Sequence, residues 1–161
     1  RRASVTSPNG LTKQTQAALT DMVAAARKQG VRILVRSGYR SYATQKGVYQ
    51  RALKNYPSVA SAKRYNAPPG ASEHQTGLAV DIVDADYLEL DEGQESTATQ
   101  QWLMAHCTEY GFILRYPTDK SATTGIGYEP WHYRYVGKEH AQRMNELNMC
   151  LEEYVAFLKG D

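Results

Sequence analysis

The chain is poor in several things. It has two cysteines, two phenylalanines and six prolines in 161 residues. Cys107 and Cys150 lack CxxC or CxxH spacing, so neither reads as a zinc ligand. Both fall in expected helices. Two ordinary half-buried thiols are the simpler reading, and a single disulfide tying down the C-terminal helix is the alternative if the protein is exported. No apolar run approaches the ~20 residues that cross a bilayer. The formal net charge of +2 is too small to argue for nucleic acid or for an anionic membrane surface. There is no internal repeat and no low-complexity tract. No signal-peptide pattern follows Arg1-Arg2-Ala3-Ser4, which says little about compartment.

What is present is a globular composition, 42% hydrophobic and 22% charged. That length suits one domain able to bury its own core. Twelve tyrosines against two phenylalanines point to a wet, aromatic-lined groove. Residues 1–10 are polar, hold a Pro8-Asn9-Gly10 turn, and are expected to be mobile. Leu11, Leu19, Met22 and Ala26 then keep helical spacing up to Gly30, a good helix stop. Val31–Arg36 alternates as a strand, with Val31, Ile33 and Val35 on one face. A helix is expected over Tyr42–Lys54 and a short one over Ser58–Tyr65. Ala67-Pro68-Pro69-Gly70 cannot be regular structure, because two prolines remove donors and restrict their neighbours.

Leu78–Val83 is a nearly continuous apolar run broken by Asp81, a central strand carrying one charge. Asp84–Glu95 reads as an acidic loop. Thr97-Ala98-Thr99-Gln100 reads as a capping box for a helix reaching Tyr110, stopped by Gly111. Strands follow at Phe112–Tyr116 and Trp131–Val136, with a loop over Pro117–Gly127 between them. Helices over Lys138–Asn145 and Leu151–Leu158 close the chain. The pattern gives an α+β fold, a small central, mostly antiparallel sheet flanked by helices.

Ser72-Glu73-His74-Gln75-Thr76-Gly77-Leu78-Ala79-Val80-Asp81 places a histidine and an aspartate seven residues apart. A buried lone carboxylate is costly, so Asp81 needs a metal or a cationic partner; an arginine is the plain alternative. Asp84 competes as a ligand, but three residues on it faces the other side of the strand. Glu129-Pro130-Trp131-His132 supplies a second histidine and another carboxylate. Two imidazoles and one carboxylate, with a further carboxylate for protons, make the residue set of a catalytic zinc site. His106 and His140 read as solvated.

Ser72-x-His74-x-x-Gly77-x-Ala79-x-Asp81 followed by Glu129-x-Trp131-His132 resembles the signature of the VanY-type zinc D-alanyl-D-alanine carboxypeptidases. That group includes L,D-carboxypeptidases and shares its fold with VanX and the Hedgehog signalling domain. Ser37-Gly38-Tyr39-Arg40-Ser41 with Gln45, and Trp131–Gly137, also match, so the likeness runs from about Leu11 to Leu158. It implies zinc held by His74, Asp81 and His132, with Glu129 as general base and acid. It implies that Arg40 faces the scissile carbonyl and binds the oxyanion or a substrate carboxylate. Gln45 and Ser72 would hold the substrate's C-terminal end, and Tyr116 and Trp131 would line the groove. Ser41 is instead read as a helix cap.

The resemblance therefore implies a single catalytic domain over 11–161 that trims D-alanine from peptidoglycan stem peptides. Action on tetrapeptide stems as an L,D-carboxypeptidase is one alternative, and an endopeptidase or a non-hydrolytic cell-wall peptide-binding module are others. Location outside the cytoplasmic membrane, behind a leader or anchor before Arg1, follows from that substrate. A monomer is expected, with no nucleic-acid or membrane contact of its own.

Overall fold

The computed structural model describes residues 9–160. Most of the expected mobile segment 1–10 lies outside these; Asn9 and Gly10 form a turn. Thr12 caps the first helix, α1 (Lys13–Lys28), its hydroxyl accepting from the Thr15 N–H at 3.1 Å. Leu11 belongs to the cap rather than the helix, yet it is buried with Leu19, Met22 and Ala26. Gln29 ends α1, and Gly30 follows at φ 77°.

Next come β1 (Ile33–Ser37), α2 (Tyr42–Asn55) and α3 (Val59–Tyr65). Ser41 caps α2 through the Thr44 N–H, and Ser58 caps α3 in a reciprocal box with Ser61. A 3₁₀ turn at Glu73–Thr76 leads into β2 (Ala79–Asp84), buried along its whole length. The expected acidic loop tightens into a 3₁₀ turn at Glu92–Ser96. α4 spans only Ala98–His106, and Cys107–Tyr110 continues as 3₁₀ to Gly111. Only half of the expected capping box forms: Thr97 accepts from the Gln100 N–H, but the Gln100 side chain instead accepts from the Tyr133 hydroxyl. β3 (Phe112–Leu114) is shorter than expected. The Pro117–Gly127 loop contains a 3₁₀ turn and α5 (Ser121–Thr124). β4 (His132–Tyr135), α6 (Lys138–Leu147) and α7 (Leu151–Lys159) complete the order.

The four strands form one sheet in the order β1-β2-β4-β3, every pair antiparallel. Alternation along β2 and β4 divides it into two faces. Val80, Ile82 and Tyr133 point to one side and pack with Leu19, Met22, Trp102, Leu103 and Phe112 of the main core. Burying each such aliphatic side chain stabilises the fold by ~1.5–3 kcal/mol. Trp102 also donates to the Gln29 side chain at 3.1 Å, joining α4 to the end of α1. Asp84 shares the core side, where its carboxylate accepts from the Thr99 N–H at 3.2 Å and the Asp86 N–H at 2.8 Å. Ile113 points the other way, into a second cluster with Ala141, Met144 and Tyr154.

β1 is an edge strand: Leu34 and Val35 stay about two-fifths exposed (40% and 38%), while Val31 and Ile33 pack against the main core. Both thiols are free and buried; Cys150 is the cap of α7 rather than part of a helix. His140 is exposed, bonded to Tyr154, while His106 is half-buried against the Trp102 ring rather than solvated.

Gly77 fixes how the 3₁₀ turn meets β2. Its φ is 72°, and a Cβ there would sit 2.7 Å from the Gly10 carbonyl oxygen and 3.1 Å from the Thr12 nitrogen. The Gly77 carbonyl accepts from that same Thr12 N–H at 3.0 Å. Gly77→Ala should therefore cost roughly 2–4 kcal/mol, from left-handed backbone strain plus a backbone collision. Urea unfolding of the variant checks this, and an unchanged midpoint would contradict it.

Candidate metal centre

The sheet face opposite the core carries the polar residues. Asp81 on β2 and His132 on β4 are direct cross-strand partners, which brings their side chains side by side. His74 arrives from the 3₁₀ turn before β2, which is bonded to the segment after β1: the Arg40 N–H donates to the His74 carbonyl at 3.0 Å. The three side chains are buried, and their ligand atoms all lie within 4.8 Å of one another.

The hydrogen bonds around this cluster dictate what it can hold. His74 Nδ1 faces the Gly38 carbonyl oxygen at 2.7 Å, so the proton sits there and Nε2 is left as a lone pair. That Nε2 points at Asp81 Oδ1, 3.2 Å away. His132 is arranged the opposite way: its Nε2 donates to Glu73 Oε2 at 3.2 Å, and its Nδ1 faces Asp81 Oδ1 at 3.3 Å. The two imidazole nitrogens and a carboxylate oxygen thus converge on one point, where a bound cation would take the place of the proton that His132 Nδ1 otherwise shares with Asp81. A divalent ion with nitrogen and oxygen ligands fits it, with His74 Nε2, His132 Nδ1 and Asp81 Oδ1 as the atoms that could hold it.

The charges respond to this crowding. Burial pushes the Asp81 carboxyl up, but His74 and His132 outweigh it and hold Asp81 far below the usual carboxylate range. Burial disfavours the His132 cation, yet hydrogen bonds to Asp81 and Glu73 raise His132 to about 9. Glu129, whose Oε2 lies 3.7 Å from His132 Nδ1, goes the other way. Burial, with the Asp81 and Glu73 charges, lifts it to about 8 despite His132 and Arg40. A bound divalent ion would draw it back down. A carboxylate tuned upward beside a metal position is suited to accept and return a proton near neutral pH.

Arg40 is half-buried and braced on three sides. Its Nε donates to Ser37 Oγ at 2.9 Å, Nη1 to Gln45 Oε1 at 3.1 Å and Nη2 to Asp81 Oδ2 at 2.7 Å. Both readings of Asp81 therefore hold together: one oxygen takes the arginine, and the other faces the histidines. Arg40 keeps two N–H groups to spare, and it lines the cleft. Gln45 also lines the cleft: its amide donates to the Ala67 carbonyl at 2.7 Å, pinning the double-proline loop, and keeps a second N–H. Ser72 is buried at the cleft, and its hydroxyl caps nothing. Tyr116 lays its ring 5.0 Å from that of His132, and Trp131 is half-buried along the same wall.

These residues line one cleft of about 460 Å³, a size that suits a short peptide end. The sequence assigns no site role to several of its members, the charged Arg36 and Glu73 among them. The β1–β2 register slips between Val35 and Ser37, a bulge that lets Arg36 and Ser37 both line the cleft. Glu73, adjacent to a ligand candidate, also lies inside it. Alternation rules give no warning of the bulge, and Glu73 reads in sequence as a turn residue.

A small α+β domain with a buried cluster of two histidines and an aspartate beside a buried glutamate defines the class: a protein with the residue set of a zinc peptidase. Residues 8–138 match the family described as VanY: D-alanyl-D-alanine carboxypeptidase, and the chain belongs to that family. A D-alanyl-D-alanine carboxypeptidase of Enterococcus faecalis is 44% identical over 147 residues, covering 85% of this chain and 52% of its own. The chain thus spans about half the length of such relatives. Among solved structures, the LdcB LD-carboxypeptidase superposes with a TM-score of 0.82 at 42% identity, covering 90% of this chain and 68% of that one. A vancomycin-resistance D,D-pentapeptidase VanY variant in complex with Zn(II) gives 0.80 at 38% identity, covering 93% and 87%.

Proposed function

We propose that residues 11–161 form a zinc-dependent carboxypeptidase domain that removes the terminal D-alanine from peptidoglycan stem peptides, with D-alanyl-D-alanine ends as the first choice. The observation that carries this is the buried Glu129 carboxylate, 3.7 Å from a histidine nitrogen that itself faces Asp81. Zinc held by His74, Asp81 and His132 would supply Lewis acidity, polarising the peptide carbonyl and acidifying water. Glu129 takes the proton of the attacking water and returns it to the departing amine of D-alanine. Arg40, fixed by Ser37, Gln45 and Asp81, directs its remaining N–H groups at the oxygen that gains charge, or at a substrate carboxylate. Gln45 and Ser72 receive the C-terminal end of the peptide, Gln45 also holding Arg40 and the Ala67 loop, and Tyr116 and Trp131 form the walls.

The likeness to LdcB supports a second reading, cleavage after an L-residue in tetrapeptide stems. An intact Glu129 argues against a binding module without hydrolysis. A cell-wall substrate supports a location outside the cytoplasmic membrane. No described helix is long and apolar enough to cross a membrane.

Mass spectrometry of products from a pentapeptide ending D-Ala–D-Ala and a tetrapeptide ending in one D-Ala tests the reading, with zinc-loaded and chelated protein in parallel. Zinc-dependent loss of one alanine from the pentapeptide alone is the expected result. Loss from the tetrapeptide alone would replace it with L,D activity. No cleavage of either by zinc-loaded protein would overturn carboxypeptidase action.

A further inference from the structure

We propose that Glu73 is the positioning residue for His132, and that α7 is part of the metal site through a Glu73–Arg115–Glu152 relay. The inference rests on the zinc reading above and extends it beyond the matched segment, since α7 begins at Leu151 and the family match ends at residue 138.

Glu73 is not one of the three converging ligand groups. It sits behind His132 and accepts the Nε2 proton, which leaves Nδ1 for the metal side of the ring. An imidazole held by one nitrogen alone can swing; a carboxylate at its back fixes tautomer and direction together. Glu73 is itself fixed. Its Oε1 accepts from Arg115 Nε at 2.8 Å and from Arg134 Nη1 at 2.7 Å. Arg134 follows on β4 two residues after His132, on the same face of the sheet. Arg115 leaves β3 on that face too, its N–H donating to the His132 carbonyl at 3.0 Å.

Arg115 then reaches outward. Its two terminal nitrogens fork onto both oxygens of Glu152, at 2.9 and 2.6 Å. A two-pronged guanidinium–carboxylate pair fixes orientation as well as distance. The Arg115 side chain is 8% exposed and that of Glu152 35%, so solvent reaches the pair from the Glu152 side alone. Its guanidinium also lies 4.7 Å from the centre of the Tyr116 ring, which packs against His132. Glu152 is in the first turn of α7, so that helix is linked to His132 through a largely buried ion pair, Arg115–Glu73, and a half-exposed one, Arg115–Glu152. α7 has a second tether, Lys120 to Glu153 at 2.9 Å, that bypasses Glu73. That tether supplies the control.

The test is the zinc dissociation constant, measured by competition with a chromophoric chelator, for wild type, Glu73→Gln, Glu152→Gln and Lys120→Met. Glu73→Gln should weaken zinc about 10–100-fold, the range for a lost partner behind a metal-bound histidine. Glu152→Gln should weaken it about 3–10-fold, one link further out. Lys120→Met should leave zinc affinity within about twofold while lowering the thermal midpoint, because it loosens α7 without touching the relay. If Glu73→Gln does not fold, Glu73→Asp keeps the charge but draws the carboxylate back from His132 Nε2 and reads the same link. Wild-type affinity in Glu73→Gln, or in Glu73→Asp where it stands in, would overturn the positioning role. Equal affinities for Glu152→Gln and Lys120→Met would overturn the part assigned to α7. Failure of the wild type to bind zinc would instead overturn the zinc reading itself.

Discussion

Replacing Glu129 by glutamine should leave zinc bound and lower turnover of a stem pentapeptide by roughly 10²–10⁴-fold, the usual worth of a positioned acid–base group. Glutamine has the shape of glutamate, so it fits a position that is only 5% exposed without opening a gap. It cannot carry the proton. Because Glu129 lies beside His132 rather than among the converging ligand atoms, metal content should stay at one ion per chain. Glu129→Ala should behave alike, with a small cavity added. The pH profile gives an independent reading. The base must be ionised, and burial with the Asp81 and Glu73 charges holds its carboxyl near 8, while a bound cation lowers it. Wild-type activity should therefore rise with pH along an acid limb below 8, and the residual activity of Glu129→Gln should lack that limb. Wild-type turnover in either variant would refute the assigned role.

How much of this was legible in the sequence depended on which physical rule governed each residue. The strand around Asp81 was readable because a charge among five apolar neighbours needs a metal or a cationic partner, and Arg40 is one such partner. Its opposite orientation to Asp84 followed from alternation alone, and the Thr99 and Asp86 bonds place Asp84 on the core side. His74, His132 and Glu129 could be picked out as a set only together with the family likeness, since each alone is an ordinary residue. What stayed hidden was set by tertiary contact. Gln100 gave up its expected cap for the Tyr133 hydroxyl because that group is buried and must be bonded. The helix reaching towards Tyr110 tightened at Cys107 to bring Gly111 against the start of α6, where a Cβ would meet the Lys138 nitrogen at 3.0 Å. Arg36 entered the cleft through a bulge, and Glu73 became the centre of a four-residue charge network. Neither event has a local signature.

The same crowding of carboxylates predicts that the chelated wild type loses stability as pH rises, and that Glu129→Gln recovers much of that loss. Folding lifts Glu129 from the ordinary 4.5 to about 8. The folded state then binds more protons than the unfolded chain between those values, so stability falls with rising pH across that window. His132, lifted from 6.5 to about 9, acts in the same direction: its contribution is complete below 6.5 and gone above 9. Asp81 and Glu73 act oppositely, because folding lowers both; their contributions are present above the ordinary carboxylate range and are lost in acid. Chelated wild type should therefore be most stable near pH 5 and weaken towards pH 9. At roughly 1.4 kcal/mol per pH unit between the two Glu129 values, the penalty at pH 8 is about 4 kcal/mol. That is a large share of the ~5–15 kcal/mol that holds a domain folded. Urea unfolding of chelated protein should find Glu129→Gln more stable than wild type by several kcal/mol at pH 8 and by under about 1 kcal/mol at pH 5. Saturating zinc should narrow the difference, since its charge offsets the buried carboxylate. Equal stability of the two chelated proteins at pH 8 would show that Glu129 is not held in the strained, proton-hungry state from which its role in proton transfer was argued.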